Sequence, residues 1–396
     1  SAVEIYQRLS VANPQVYEPD LARTRNNLGC LYDNTQRYKE SEEMYLSVLT
    51  VYQRLTIANP QVYELDLART QNNLGNLYRD TRRYEDSEKM YLSAVEIYQR
   101  LSVANPQVYE PDLAMVQNNL GLLYSDIQRY EDSEKMHLSA VEIYRRLAAA
   151  NPQVYEPDLA ETQNDLGILY SDTRRYEESE EMYLSAMEIR RRLAVANPQV
   201  YEPGLARTQY NLGCLYSDTR RYEESEKMYL SAMEIRRRLA VANPQVYEPD
   251  LADTQYNLGC LYYNIQRYEE SGEMYLSALK VYQRLTVADP QVYEPYLVRA
   301  CNNLSFLFLA QGNFEEAERY AREGAKYDST HHTIYTNLAA SLLFQGRYAE
   351  AEEIYLRYKE ELKEDFLSDF EDFYQRGIIP PEREDDVERI KKLLSK

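Results

Sequence analysis

Acid–base, nucleophilic and metal chemistry draw on histidines, cysteines and clustered carboxylates, and this sequence is poor in the first two, with three His and four Cys. His331 and His332 are neighbours. Adjacent residues on a helix point ~100° apart, so the pair cannot share one ion, and zinc sites use three or four ligands. A structural place at a helix end is expected for them. His137 stands where Tyr91 and Tyr183 stand in equivalent segments, which predicts a packing role. Cys30, Cys214, Cys260 and Cys301 form no CxxC pair. The first three occupy one position of a repeated segment, and such positions in adjacent segments lie on the order of 10 Å or more apart if the segments stack as helices. A disulfide needs Cα atoms within ~7 Å, so free thiols and a reducing, cytoplasmic setting are expected. The run Glu177-Glu178-Ser179-Glu180-Glu181 opens a helical pattern and reads as a solvated face, because calcium sites need a loop. No phosphate loop, GxGxxG, HExxH or GxSxG occurs. No catalytic residue, metal site or cofactor is expected, and the protein reads as a non-enzyme.

The elements behind these residues come from a repeat. Asn-Pro-Gln-Val-Tyr recurs with Asn at 13, 59, 105, 151, 197 and 243, with a variant at Asp289, each step being 46 residues. Leu-Gly recurs in register from Leu28-Gly29 to Leu258-Gly259 and becomes Leu304-Ser305 in the seventh unit. Each unit carries two helical patterns with apolar spacing near 3.6. Helix A is predicted from about Pro111 to Asp126, with Leu113, Val116, Leu120, Leu123 and Tyr124 inward and Pro111 in its first turn. Helix B is predicted from about Tyr84 to Ala104, with Tyr91, Ala94, Val95, Tyr98 and Leu101 inward. Acids such as Glu85 open helix B, and Arg100 or Arg190 near its end complement the helix dipole. Asn105-Pro106 stops it, and Asn-Pro-Gln-Val-Tyr-Glu is expected to be a connector.

Gln71-x2-Leu74-Gly75-x2-Tyr78 followed by Ser87-x3-Tyr91 resembles the tetratricopeptide pattern W-x2-L-G-x2-Y…A-x3-F. Ser stands for Ala and Tyr for Phe, each of similar size. The usual unit is ~34 residues. The longer unit, with Pro111-Asp112-Leu113-Ala114 before Asn118-Asn119-Leu120, is similar to the long-helix arrays of kinesin light chain and its bacterial relatives. The resemblance covers residues 1 to about 358. It implies an all-α fold, a right-handed α-solenoid (superhelix) of antiparallel helix pairs, and a peptide- or protein-binding concave groove. The expected organisation is a truncated repeat at 1–20, six 46-residue units at 21–296, a transitional unit at 297–330, a 34-residue-type unit at 331–358 and capping helices at 359–396. Phe366, Phe370 and Phe373 are expected to cover the last repeat. Because Ser1-Ala2-Val3-Glu4 aligns inside a helix B, the chain is expected to be a fragment of a longer array.

The repeats laid over one another expose positions on helix A that change freely. Two residues before the Gln71 position stand Arg23, Arg69, Met115, Glu161, Arg207, Asp253 and Arg299. One residue after it stand Asn26, Asn72, Asn118, Asn164, Tyr210, Tyr256 and Asn302. After the Gly stand Cys30, Asn76, Leu122, Ile168, Cys214, Cys260 and Phe306. One turn further stand Asp33, Arg79, Ser125, Ser171, Ser217, Tyr263 and Leu309. Spacings of three and four put these on one stripe, which the resemblance places on the concave face. The stripe is a recognition surface or a solvent-facing face that has drifted; its apolar and aromatic members point to recognition. The expected ligand groove comprises Arg23, Asn26, Arg69, Asn72, Asn76, Arg79, Met115, Asn118, Leu122, Asn164, Ile168, Arg207, Tyr210, Tyr256, Tyr263, Asn302 and Phe306. It is cationic first, apolar in the middle and aromatic last. Its Asn series either offers amides to a peptide backbone or bonds within the array.

Formal charge is −20, from 65 acidic and 45 basic side chains. Nucleic acid requires a basic face, and no run approaches the ~20 apolar residues of a membrane span, so neither partner is expected. The function expected is a protein-interaction scaffold. The alternatives are the sensor array of a larger bacterial protein with an ATPase, Toll-like or caspase-like effector, and an architectural spacer.

Overall fold

The computed structural model describes residues 2–327 and 333–395, so the His331–His332 pair lies outside the described residues. The helices are, in order, α1 (Ala2–Ala12), α2 (Pro14–Asn34), α3 (Tyr38–Ala58), α4 (Pro60–Asp80), α5 (Tyr84–Ala104), α6 (Pro106–Asp126), α7 (Tyr130–Ala150), α8 (Pro152–Asp172), α9 (Tyr176–Ala196) and α10 (Pro198–Asp218). There follow α11 (Tyr222–Ala242), α12 (Pro244–Asn264), α13 (Tyr268–Ala288), α14 (Pro290–Ala310), α15 (Phe314–Ala325), α16 (Thr333–Phe344), α17 (Tyr348–Arg357), α18 (Lys359–Gln375) and α19 (Glu384–Ser395), with a 3-10 turn at Pro381–Arg383. No strand occurs among the described residues. The fold is an all-α solenoid in which successive helices pack on one another from α1 to α9 and from α11 to α17. The chain divides into two compact units, residues 1–204 and 205–396.

Helix B falls where its pattern predicts, but helix A starts earlier. α6 begins at Pro106 and runs for 21 residues, so Pro-Gln-Val-Tyr-Glu is helix and the joint from B to A is one residue. Asn105 is that joint, with φ −147° and ψ 85°. A residue before proline is driven out of the α region, and proline at N1 is preset for a new helix. One extended residue therefore ends one helix and starts the next. Pro111 lies inside α6, not in its first turn. It withholds one donor from the exposed Gln107 carbonyl, near the helix start where that cost is smallest.

The turn from A to B repeats just as closely. Gln36, Arg82, Gln128, Arg174, Arg220 and Gln266 all hold φ near +60°. In the shorter units glycine takes this place, at Gly312 and Gly346. The following arginine locks the corner. Arg129 N–H donates to the Tyr124 carbonyl at 2.8 Å, its guanidinium lies 4.2 Å from the Tyr124 ring centroid, and it pairs with Asp132 and with Glu88 of the preceding repeat.

Between A and B the glycine accepts an aromatic ring sixteen positions on. A Cβ on Gly75 would stand 2.5 Å from Tyr91 Cε1. Ser87 Oγ donates to the Gly75 carbonyl at 2.7 Å, and the same bond joins Ser41 to Gly29, Ser133 to Gly121, Ser179 to Gly167, Ser225 to Gly213 and Ser271 to Gly259. This is why Ser serves where the usual pattern has Ala. In the seventh unit the roles exchange: Ser305, at the glycine position, donates to the Ala317 carbonyl at 2.7 Å. Leu113, Val116, Leu120, Leu123 and Tyr124 of α6 and Tyr91, Ala94, Val95 and Tyr98 of α5 are all buried.

At the C-terminal end the helices shorten to 12, 12 and 10 residues in α15, α16 and α17. α18 lies on α16 and α17 and buries Phe366, Phe370 and Phe373. The Phe366 and Phe370 rings meet Tyr355, with centroids 4.7 Å and 5.6 Å away. The Phe373 ring meets Phe344 at 5.6 Å.

Candidate functional site

The variable stripe lies along the A helices, and burial sorts it into three groups. Arg23, Arg69, Met115 and Ile168 are exposed. Asn26, Asn76, Arg79, Leu122, Arg207, Tyr210, Tyr263, Asn302 and Phe306 are half-buried. Asn72, Asn118, Asn164 and Tyr256 are buried. The Asn and Tyr row joins one A helix to the next. Asn119 Nδ2 donates to Asn72 Oδ1 at 3.0 Å, and Asn73 reaches Asn26 at 3.4 Å. Asn118 donates to Asp165 at 2.9 Å. Asn257 donates to the Tyr210 hydroxyl and Asn303 to the Tyr256 hydroxyl, both at 2.7 Å. Asn337 donates to Asn302 Oδ1 at 2.9 Å. These amides and hydroxyls bond within the array, where buried polar groups must find partners.

The cationic part of the stripe is paired with acids. Arg23 meets Asp20 at 2.5 Å, Arg69 meets Asp112 at 3.6 Å, and Arg79 meets Asp126 at 2.6 Å. Burial pushes the Asp112 carboxyl up, and Arg69 beside it pulls it back. Arg69 keeps a largely exposed side chain despite its partner.

The burial of two arginines escaped the sequence reading. Arg190 and Arg236 occupy the position held by Tyr98, Tyr144 and Tyr282 in other repeats. Arg190 is not a helix-end charge facing the dipole; it is 4% exposed, six residues before the end of α9. Its guanidinium donates to the Gly204 carbonyl at 2.9 Å and pairs with Glu161 at 2.5 Å. Arg236 donates to the Asp250 carbonyl at 2.9 Å and Thr254 Oγ1 at 2.6 Å, and stacks 4.7 Å from the Tyr210 centroid. Burial lowers its pKa from the usual arginine value. The break in the Tyr series was the visible signal.

The thiols are free. Tyr45 OH donates to Cys30 Sγ at 3.2 Å and Tyr229 OH to Cys214 Sγ at 3.3 Å. Burial raises the Cys214 and Cys260 pKa values, so both stay thiols rather than nucleophilic thiolates. No group of three metal-ligating side chains gathers among the described residues.

The aromatic end is where the stripe meets the C-terminal helix. The Tyr263 ring lies 5.8 Å from Phe306 and 5.5 Å from Tyr268, and Phe306 lies 6.0 Å from Phe373 of α18. Arg376 Nη1 donates to the Tyr263 hydroxyl at 2.6 Å. Tyr263 lines two cavities. One of about 550 Å³ opens between Tyr263, Gln266, Tyr268 and Arg376. The other, of about 180 Å³, lies against Cys260, Tyr275, Asn303 and Phe306. Such a surface can stack and hydrogen-bond a ligand, and it presents no activated nucleophile.

The sequence matches the tetratricopeptide repeat family over residues 21–56, 66–146, 112–192, 158–238, 251–290 and 308–367. The chain belongs to the tetratricopeptide repeat family. Proteins of this family are typically interaction modules and generally non-catalytic. Among solved structures, a signal-transduction ATPase of the STAND type with a tetratricopeptide repeat sensor, from Pyrococcus horikoshii, is 17% identical with a TM-score of 0.61. That match covers 93% of this chain and 54% of the ATPase. The apo form of the quorum sensor NprR from B. thuringiensis is 15% identical with a TM-score of 0.52, covering 96% of this chain and 98% of NprR. BtubC from P. vanneervenii is 23% identical with a TM-score of 0.50, covering 60% of this chain and 88% of BtubC. At these identities the likeness is one of fold. No match was found among curated proteins. No helix among the described residues is long and apolar enough to cross a membrane.

One tetratricopeptide unit departs from the others in a measurable way. His137 replaces the ring-bearing Tyr over Gly121 and is fully buried. Because Asn118 Nδ2 is spent on Asp165, Asn118 Oδ1 accepts from His137 Nδ1 at 2.8 Å, which fixes the neutral tautomer. Burial, helped by Arg79, lowers the His137 pKa to about 4. The unfolded chain therefore takes up the proton first as pH falls. The stability from the neutral imidazole is full above the ordinary value near ~6.5 and is lost as pH falls towards the folded value. Between pH 7 and 4.5 wild type should lose roughly 2 kcal/mol relative to His137→Phe. Paired denaturation curves across that range check it, and parallel curves refute it.

Proposed function

We propose that this chain is a protein-interaction module that takes a peptide or protein segment along the A-helix stripe. The observation that carries the reading is the pair Met115 and Ile168, each 37% exposed on that stripe at positions the array's packing leaves free. Leu122 holds the position of Ile168 one repeat earlier and extends the apolar part. Arg69, exposed at one end, orients a ligand through charge. The Asn row contributes rigidity rather than donors, since its groups are already engaged between neighbouring A helices. A sensor array within a larger protein is the second reading, favoured by the STAND-type ATPase of which this chain spans about half.

The test starts from a displayed peptide library selected on the purified chain. Ile168→Lys should weaken the selected binders at least tenfold, about 1.4 kcal/mol, by placing an unpaired charge in the apolar part. Arg69→Glu should slow association and change its salt dependence. Glu181→Lys, exposed on helix B, should stay within twofold of wild type. Binders lost with Glu181→Lys and kept with Ile168→Lys would place recognition on the helix B side and overturn the proposal.

A further inference from the structure

Four aromatic residues of the stripe face three guanidiniums from this chain. Arg236 lies 4.7 Å from the Tyr210 centroid, Arg299 lies 4.4 Å from Tyr256, and Arg376 lies 5.8 Å from Tyr263 and 5.9 Å from Phe306. Arg236 is locked by buried hydrogen bonds to Asp250 and Thr254. Arg299 belongs to helix A of the adjoining repeat. Arg376 differs from both, because it comes from outside the 46-residue repeats, 113 positions along the chain from the tyrosine it meets.

The backbone delivers Arg376 to this place. It is the C-cap of α18. Gly377 follows with φ +68°, and Ile378 N–H closes the helix end on the Phe373 carbonyl at 2.9 Å. The helix itself is held by Phe366, Phe370 and Phe373, so its position does not depend on Arg376. The side chain is 42% exposed and is held by Asp372 at 2.8 Å and the Tyr263 hydroxyl at 2.6 Å. Beside it lies the cavity of about 550 Å³. An aromatic pair, a phenol oxygen and a carboxylate bind one planar cation well. A side chain on four flexible bonds can leave such a site without moving its helix.

We infer that the aromatic end of the A-helix face is a subsite for an arginine side chain of a partner peptide, and that Arg376 is a tethered occupant the partner displaces. The inference rests on the peptide-binding reading above and adds the chemistry of one ligand residue. A net charge of −20 draws cationic peptides towards the protein. The tethered guanidinium makes the subsite selective: a ligand enters only when its arginine brings further contacts along the stripe, whereas an isolated arginine competes poorly with one that is attached.

Removing the tethered group turns this into a direct measurement. The probe is N-acetyl-arginine amide, observed by saturation-transfer NMR on the full chain, with the neutral isostere N-acetyl-citrulline amide as control. Arg376→Ala should give at least threefold more saturation transfer to the arginine side-chain protons than wild type. The citrulline probe should show no such gain, and Tyr263→Leu added to Arg376→Ala should remove it. Circular dichroism checks that both variants keep wild-type helicity. Equal signals in wild type and Arg376→Ala, or an equal gain for citrulline, would overturn the inference and leave Arg376 as a helix-end tie. Library peptides that still depend on Ile168 in that case would leave the wider binding proposal standing; loss of both would remove it too.

Discussion

Removing residues 84–129, one full repeat of 46, leaves a folded and shorter array, whereas removing residues 83–105, one helix B with its joint, does not. The first deletion takes out α5 and α6 and joins Arg83 to Tyr130. The new seam copies the old one, since an arginine again precedes the first tyrosine of a helix B. Gly75 of α4 then receives the His137 ring from α7, as Gly121 does now. Ser133 can donate to the Gly75 carbonyl in place of Ser87. The second deletion places α6 directly after α4, so that helix A meets helix A. Gly75 loses the ring that fills it, and the serine bond to its carbonyl is gone. Each repeat interacts with its neighbours only, so stability is a sum of repeat and interface terms. The 46-residue deletion should keep the helicity per residue and shift the melting temperature by a few degrees. The 23-residue deletion should lose helicity around the seam and aggregate. Matching circular dichroism and melting curves for the two would show that the repeat is not the folding unit.

The parts of the fold that were legible in the sequence are those fixed by contacts within a repeat or between adjacent ones. Leu120, Leu123 and Tyr124 announced their burial through helical spacing, and Leu-Gly announced a close approach of two helices. The start of helix A was misplaced because two prolines compete for it: Pro111 looks like a first-turn residue, but Pro106 already holds that role and a helix tolerates the second. Ser87 was read as a size match for alanine, since a hydrogen bond to a carbonyl twelve residues away leaves no mark in composition. The swap to Ser305 and Ala317 is a signal that could have revealed it. For the candidate site, the stripe could be drawn from variation alone, but which members face outward could not. Asn118 and Asn72 are buried and bond to the next repeat, whereas Met115 and Ile168 remain exposed. The contact of Arg376 with Tyr263 joins the non-repeating end to the repeats, and no periodicity reports on such a pair.

Two helical glycines should respond to alanine with opposite signs. Alanine is favoured over glycine inside a helix by ~1 kcal/mol. At Gly272, in α13, an added Cβ meets nothing nearer than Leu307 Cδ2 at 3.4 Å. Other repeats carry Glu at this position, as at Glu88 and Glu134, so a side chain is sterically accepted there. Gly272→Ala should therefore stabilise by about 0.5–1 kcal/mol. At Gly75, in α4, the same atom would stand 2.5 Å and 2.6 Å from the Tyr91 ring. That ring is fully buried and its hydroxyl donates to Asn76 at 2.5 Å, so it has neither room nor a free edge to yield. Overpacking costs ~1–3 kcal/mol, which outweighs the propensity gain, and Gly75→Leu should cost more still. Gly121→Ala should fall between the two, because the imidazole of His137 is smaller than a phenol and stands 2.8 Å from the new Cβ. Hydrogen exchange of the helix pair around each site reads the local effect in an array whose repeats need not unfold together. The expected order of protection is Gly272→Ala above wild type, then Gly121→Ala, then Gly75→Ala. Gly75→Ala as stable as Gly272→Ala would mean that the ring-on-glycine contact does not set the approach of the two helices.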